Sequence, residues 1–90
     1  MLQSLQIIVQ GKVQGVFYRQ STCEKAEELG ITGTVKNLAN GNVEIIATGT
    51  SEQLDRFTNW CKQGPKRAIV TDIIITSLSL QSFNSFSIIK

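Results

Sequence analysis

The chain alternates short apolar runs with polar, glycine-marked breaks, and the period of the apolar positions changes from one run to the next. Leu5-Gln6-Ile7-Ile8-Val9-Gln10 is short, rich in β-branched side chains and followed by Gly11, which predicts a central strand. Further on, Cys23, Ala26 and Leu29 recur at three-residue spacing among Glu24, Lys25, Glu27 and Glu28. That spacing places small apolar residues on one face of a helix running from Arg19 or Gln20 to Leu29, with Gly30 as its C-cap. Thr34 to Leu38 and Asn42 to Thr48 then flank Asn40-Gly41, which predicts a hairpin closed by a type I′ turn with positive φ at both central residues. In the returning strand Val43, Ile45 and Ala47 share one face.

Thr50 and Gln53 fit a capping box, and Leu54, Phe57 and Cys61 follow at i, i+3 and i+7, so a second helix begins there, with Trp60 flanking its apolar stripe. Gly64-Pro65 breaks that helix. Ala68 to Leu80 is a β-branched-rich segment long enough to include some loop at one end, and Ser85-Phe86-Ser87-Ile88 alternates as a short last strand. The order βαββαβ, with an extra C-terminal strand, predicts an α+β fold: a ferredoxin-like sandwich with two helices on one face of an antiparallel sheet. No internal repeat or linker divides the chain, so residues 1–90 are expected to form a single domain.

Composition narrows the classes. Of the 90 residues 41% are hydrophobic and 18% charged, which describes a folded globule and not a disordered chain. No apolar run approaches the ~18 residues that span a bilayer, and Met1-Leu2-Gln3-Ser4 lacks the basic and apolar regions of a secretion signal, so a cytoplasmic location without membrane contact is expected. The net charge of +2 is too small to argue for nucleic acid. Histidine is absent, and Cys23 and Cys61 do not show metal spacing, so no metal site is expected and both cysteines are read as buried, reduced thiols.

The candidate chemistry lies in Gly11-Lys12-Val13-Gln14-Gly15-Val16-Phe17-Tyr18-Arg19, between the first strand and the first helix. Glycines that accept positive φ let successive amides turn inward into a concave nest, and a helix N-terminus adds unpaired N–H donors. Arg19 adds a permanently charged fork matched to phosphate oxygens. Lys12, Arg19 and Lys36 fall in the two segments of interest, and no carboxylate lies between Met1 and Glu24, so the local field favours an anion. Gly15, Val16, Phe17, Tyr18 and Arg19 are the expected anion-holding residues. Taken without further context, the loop is also compatible with an ordinary strand-to-helix connection, and Asn37 with a strand-end or turn residue.

Gly-x-Val-Gln-Gly-Val-x-aromatic-Arg resembles the first signature of the acylphosphatase family, and Gly33, Val35, Lys36, Asn37, Gly41, Val43 and Gly49 are similar to its second. The resemblance continues through Gly64-Pro65 and Ala68-Ile69-Val70 into the C-terminal strand; Thr34 stands where the family usually carries a bulky side chain. It implies the same ferredoxin-like fold and hydrolysis of a small acyl phosphate to a carboxylate and inorganic phosphate, which is product and inhibitor. It further implies in-line attack by water without a phosphoenzyme or metal, with Arg19 binding phosphate and Asn37 positioning the water. Nothing in the sequence requires an oligomer or a cofactor, so a monomer without cofactor is expected. An amide has no useful proton affinity near neutral pH, so Asn37 is not a general base. A non-catalytic phospholigand-binding module would use the same nest without needing Asn37. Single-stranded RNA binding on the sheet is disfavoured, because Leu5 to Gln10 and Asn42 to Thr48 contain no aromatic residue to stack on bases.

Overall fold

The computed structural model describes residues 1–89, ordered as β1 (Leu2–Lys12), α1 (Tyr18–Leu29), β2 (Thr32–Asn37), β3 (Val43–Thr50), α2 (Ser51–Cys61), β4 (Ile69–Leu78) and β5 (Phe86–Ile89). Alternation sorts the strand residues by face. Ile7 and Val9 of β1, Val35 of β2 and Val43, Ile45 and Ala47 of β3 are all 0% exposed, and they pack with Leu54, Phe57 and Cys61 of α2 and Ala26 of α1 in one core. The sheet order is β4-β1-β3-β2-β5, with β1 antiparallel to both β3 and β4, and β2 antiparallel to β3.

The fifth strand changes the expected picture. β5 pairs parallel to β2, with Val35 opposite Ile88, so the sheet is mixed and not wholly antiparallel. Because β4 and β5 occupy opposite edges, the chain between them must cross the sheet, and it does so against the face turned away from the core. There Gln81 donates its backbone N–H to Ser4 Oγ and accepts Thr48 Oγ1–H at its carbonyl, each at 2.9 Å. The Thr48 proton is thereby committed, so Ser4 is the donor in the 2.6 Å bond between the two hydroxyls, and the three groups close a ring. That strap delivers β5 to the edge beside α1.

Other differences are local. The inward face of α1 is Tyr18, Thr22 and Ala26, spaced by four, and Cys23 and Leu29 are only half-buried beside it. Thr22 is tolerated in the core because its hydroxyl donates to the Tyr18 carbonyl one turn back, at 2.7 Å. The hairpin turn is not type I′. Phe17 is the one non-glycine residue with positive φ among the described residues, so Asn40 lies outside the left-handed region. Leu38 N–H donates to Asn42 O at 2.8 Å across a three-residue loop that ends with Gly41 at φ 93, while Asn40 Oδ1 accepts from Asn42 N–H. The α2 capping box is present in both directions between Thr50 and Gln53.

Candidate active site

The loop between β1 and α1 is anchored from below by Val13 and Val16, which are 1% and 3% exposed. Between those anchors the backbone alternates in hand: Gly15 has φ 74, Val16 does not, Phe17 has φ 64, and the right-handed helix starts at Tyr18. Such alternation curls consecutive amides toward a common centre. A Cβ on Gly15 would meet nothing within 4 Å, so glycine is required there by its conformation and not by crowding. No side chain caps α1, and the Ser21 N–H is the first to bond back into the turn, to Phe17 O at 3.0 Å. The amides of Tyr18, Arg19 and Gln20 are the orphan donors of this helix start.

Tyr18 holds this start in place. Its ring is buried against Trp60, 5.7 Å between centroids, and its hydroxyl donates to the carbonyl of Cys61 at the end of α2, at 2.8 Å. Burial raises the Tyr18 phenol well above its ordinary value and pushes the Cys61 thiol up to about 12. Gly64 makes room for the ring: at φ 68, a Cβ there would lie 2.6 Å from Tyr18 Cε2. The helix break at Gly64-Pro65 thus serves the cradle as well as ending α2.

These two buried acids predict an alkaline limit to stability. The folded chain keeps both protons while the unfolded chain releases them, the thiol near its ordinary value of 9.0 and the phenol near 10.0. Their contribution is fully present below pH 9 and is lost as pH rises through the window up to about 12. Each group lowers the folding constant by up to about tenfold per pH unit in that window. Urea midpoints should be steady from neutral pH to the thiol range and fall steeply beyond it; a flat profile would contradict the burial of these groups.

A cavity of about 420 Å³ opens over the loop, and it joins Gly15, Phe17, Tyr18 and Arg19 from the cradle to Asn37 at the end of β2. Arg19 and Asn37, distant in the chain, therefore line one space. Val16 turns its side chain into the core, so only its backbone is left for the cradle. The expected cluster of cations shrinks to Arg19: Lys36 pairs with Glu44 at 3.6 Å on the far face of the sheet, and Lys12 does not line the cavity. The same cavity is lined by Val13, Gln20 and Ile88, none of which the sequence marks as site residues.

A family model described as acylphosphatase matches residues 5–88. The chain belongs to the acylphosphatase family. It is 49% identical over 81 residues to an acylphosphatase of Marinobacter nauticus, covering 89% of this chain and 88% of that one. With an acylphosphatase of Methylococcus capsulatus the identity is 39% over 90 residues, covering 99% and 98%. Among solved structures, a Bacillus subtilis acylphosphatase is similar with a TM-score of 0.95 at 40% identity, covering 100% of both chains. One from Coxiella burnetii gives 0.93 at 38% identity over 97% and 92%.

Within this acylphosphatase fold, Gln14 ties the two halves of the site together. Its Nε2 donates to Leu38 O at 2.8 Å and to Asn42 O at 2.9 Å, clasping the cradle loop to the strand end that carries Asn37. Gln14→Ala should cost about 1–2 kcal/mol of stability for the two bonds and about tenfold in kcat, since small misplacements of positioning groups are costly. Inhibition by inorganic phosphate should change little. Unchanged kcat in a folded variant would show that the clasp does not set the geometry of the site.

The cysteines are free, Cys61 buried and Cys23 half-buried, which corrects the expectation of two buried thiols. Cys23 Sγ lies 3.3 Å from the carbonyl of Phe86, and partial burial followed by Glu27 and Glu24 raises its thiol above the ordinary value. Among the described residues no group of three or more His, Cys, Asp or Glu could hold a metal ion, and no helix is long and apolar enough to cross a membrane.

Proposed function

We propose that this chain hydrolyses acyl phosphates by in-line attack of water, with the Gly15 to Arg19 cradle holding the phosphoryl group and Asn37 orienting the water. Water forms a bond to phosphorus, the bond from phosphorus to the acyl oxygen breaks, and the electron pair leaves on the carboxylate. Dihydrogen phosphate carries away both protons of the water. A carboxylate is a stable leaving group, so no strong general acid is required, and positioning with charge stabilisation does most of the work. Arg19 neutralises the equatorial oxygens; the neutral Asn37 amide accepts a hydrogen bond from the water without bringing negative charge to an anionic substrate.

The observation that supports this reading above others is the convergence of Arg19 and Asn37, from a helix and a strand, on one cavity. A module that only bound anions would have no use for the second residue. The reading extends to a single-domain monomer that works in the cytoplasm, takes no cofactor, and is inhibited by inorganic phosphate because the product fits the same cradle. Benzoyl phosphate should be hydrolysed while p-nitrophenyl phosphate, a monoester with a poorer leaving group, is left intact. Chelation should leave the rate unchanged, since the chain has no histidine and its cysteines lie apart. Phosphate binding without hydrolysis would favour the binding module, and a chelator-induced loss restored by one metal would refute the metal-free mechanism.

A further inference from the structure

Phe17 is an exposed aromatic residue held in an unfavourable backbone conformation. At φ 64 and ψ 23 it sits in the left-handed region, an outlier for a bulky side chain, and strain of this kind persists where function requires it. Burial does not compensate: Phe17 is 66% exposed, whereas Val16 beside it is 3% exposed. The conformation keeps the amides of the cradle aligned and leaves the ring on the wall of the cavity that contains Arg19 and Asn37. A second exposed apolar side chain, Ile88, lines the same wall at 41% exposure, carried there by the parallel pairing of β5 with β2.

Among the described residues Arg19 is the one charged group lining this cavity. Once Arg19 engages the phosphoryl oxygens and Asn37 the water, the side chains left for the rest of the substrate are Phe17, Ile88, Val13 and Tyr18, with the neutral amide of Gln20. We propose that Phe17 and Ile88 form an apolar shelf that receives the acyl group, so that the preferred substrates are acyl phosphates of aromatic or aliphatic carboxylic acids. Those with a second carboxylate on the acyl chain are selected against, because that charge would lose water without gaining a second cation, the neutral Gln20 amide being the one polar side chain left in the lining among the described residues. This inference rests on the hydrolysis proposed above and specifies its substrate class.

The test uses the full chain and three substrates, benzoyl, acetyl and monosuccinyl phosphate, each rate being divided by its uncatalysed rate to remove differences in leaving group. Benzoyl phosphate should be preferred to the other two by about tenfold or more in kcat/KM. Phe17→Gly, which accepts the left-handed backbone, should lower the benzoyl-to-acetyl ratio about tenfold, and Ile88→Ser should lower it in the same direction by about threefold. Phe17→Asn, also tolerant of that backbone, provides a second test of the ring. An unaltered ratio in the folded variants, or a wild type that prefers monosuccinyl phosphate, overturns the shelf while leaving hydrolysis intact. A wild type inactive on all three overturns hydrolysis itself.

Discussion

Arg19→Ala should lower kcat/KM for benzoyl phosphate by about 10²–10³ and weaken inhibition by inorganic phosphate in parallel. The guanidinium lies on the first turn of α1, half-buried and lining the cavity, and among the described residues it enters no ion pair. Its donors are therefore available to an anion, and removing it leaves no buried carboxylate uncompensated. A charge-assisted contact that tightens as the bond to phosphorus breaks is worth roughly 3–4 kcal/mol, which sets the size of the effect. Arg19→Lys should recover only a small part of the activity, because a point charge cannot reproduce a planar fork. Circular dichroism and the urea midpoint should match the wild type; normal turnover with unchanged phosphate inhibition would remove Arg19 from the site.

Local signals in the sequence were strong where a residue's role depends on its near neighbours. The Thr50 and Gln53 capping box, the Gly30 C-cap and the Leu54, Phe57, Cys61 stripe all recur in the structure, since each is decided within a single turn or two. The α1 face was misassigned for a physical reason: Thr22 reads as polar, but its hydroxyl is satisfied by its own helix, so it can be buried like an apolar residue. Asn40-Gly41 marked the hairpin correctly, yet the loop takes one more residue, a choice coupled to the Leu38 and Asn42 carbonyls that Gln14 clasps.

The candidate site was legible in part. Gly15, Arg19 and Asn37 fall within short motifs, but that Arg19 and Asn37 face one cavity depends on how the sheet packs against α1. Ile88 was beyond reach of any local pattern. Its place on the cavity wall follows from the strap that carries the chain from β4 to the opposite edge, and that crossing is secured by Ser4, Thr48 and Gln81, residues far apart in sequence. Likewise Gly64 looks like a simple helix breaker until Tyr18 is seen beside it. Tertiary proximity, and not propensity, gives these residues their roles.

Asn37→Ala should separate binding from chemistry. Turnover should fall at least ~10²-fold, the usual scale for losing a group that positions a reactant, while inhibition by inorganic phosphate stays close to that of the wild type. The cradle amides and Arg19 come from the loop and α1, whereas Asn37 stands at the end of β2, paired with Val43 and exposed, so its removal leaves the anion-holding groups in place. For the same reason the fold should survive, since truncation there opens no cavity in the core. Asn37→Asp makes an instructive contrast: it keeps the size of the side chain but sets a carboxylate beside an anionic ligand, so turnover and phosphate affinity should both drop. Measuring phosphate inhibition and turnover on the same folded proteins distinguishes the possibilities. A joint loss in Asn37→Ala would assign the residue to the binding cradle, and no loss of either would leave the water without its proposed partner.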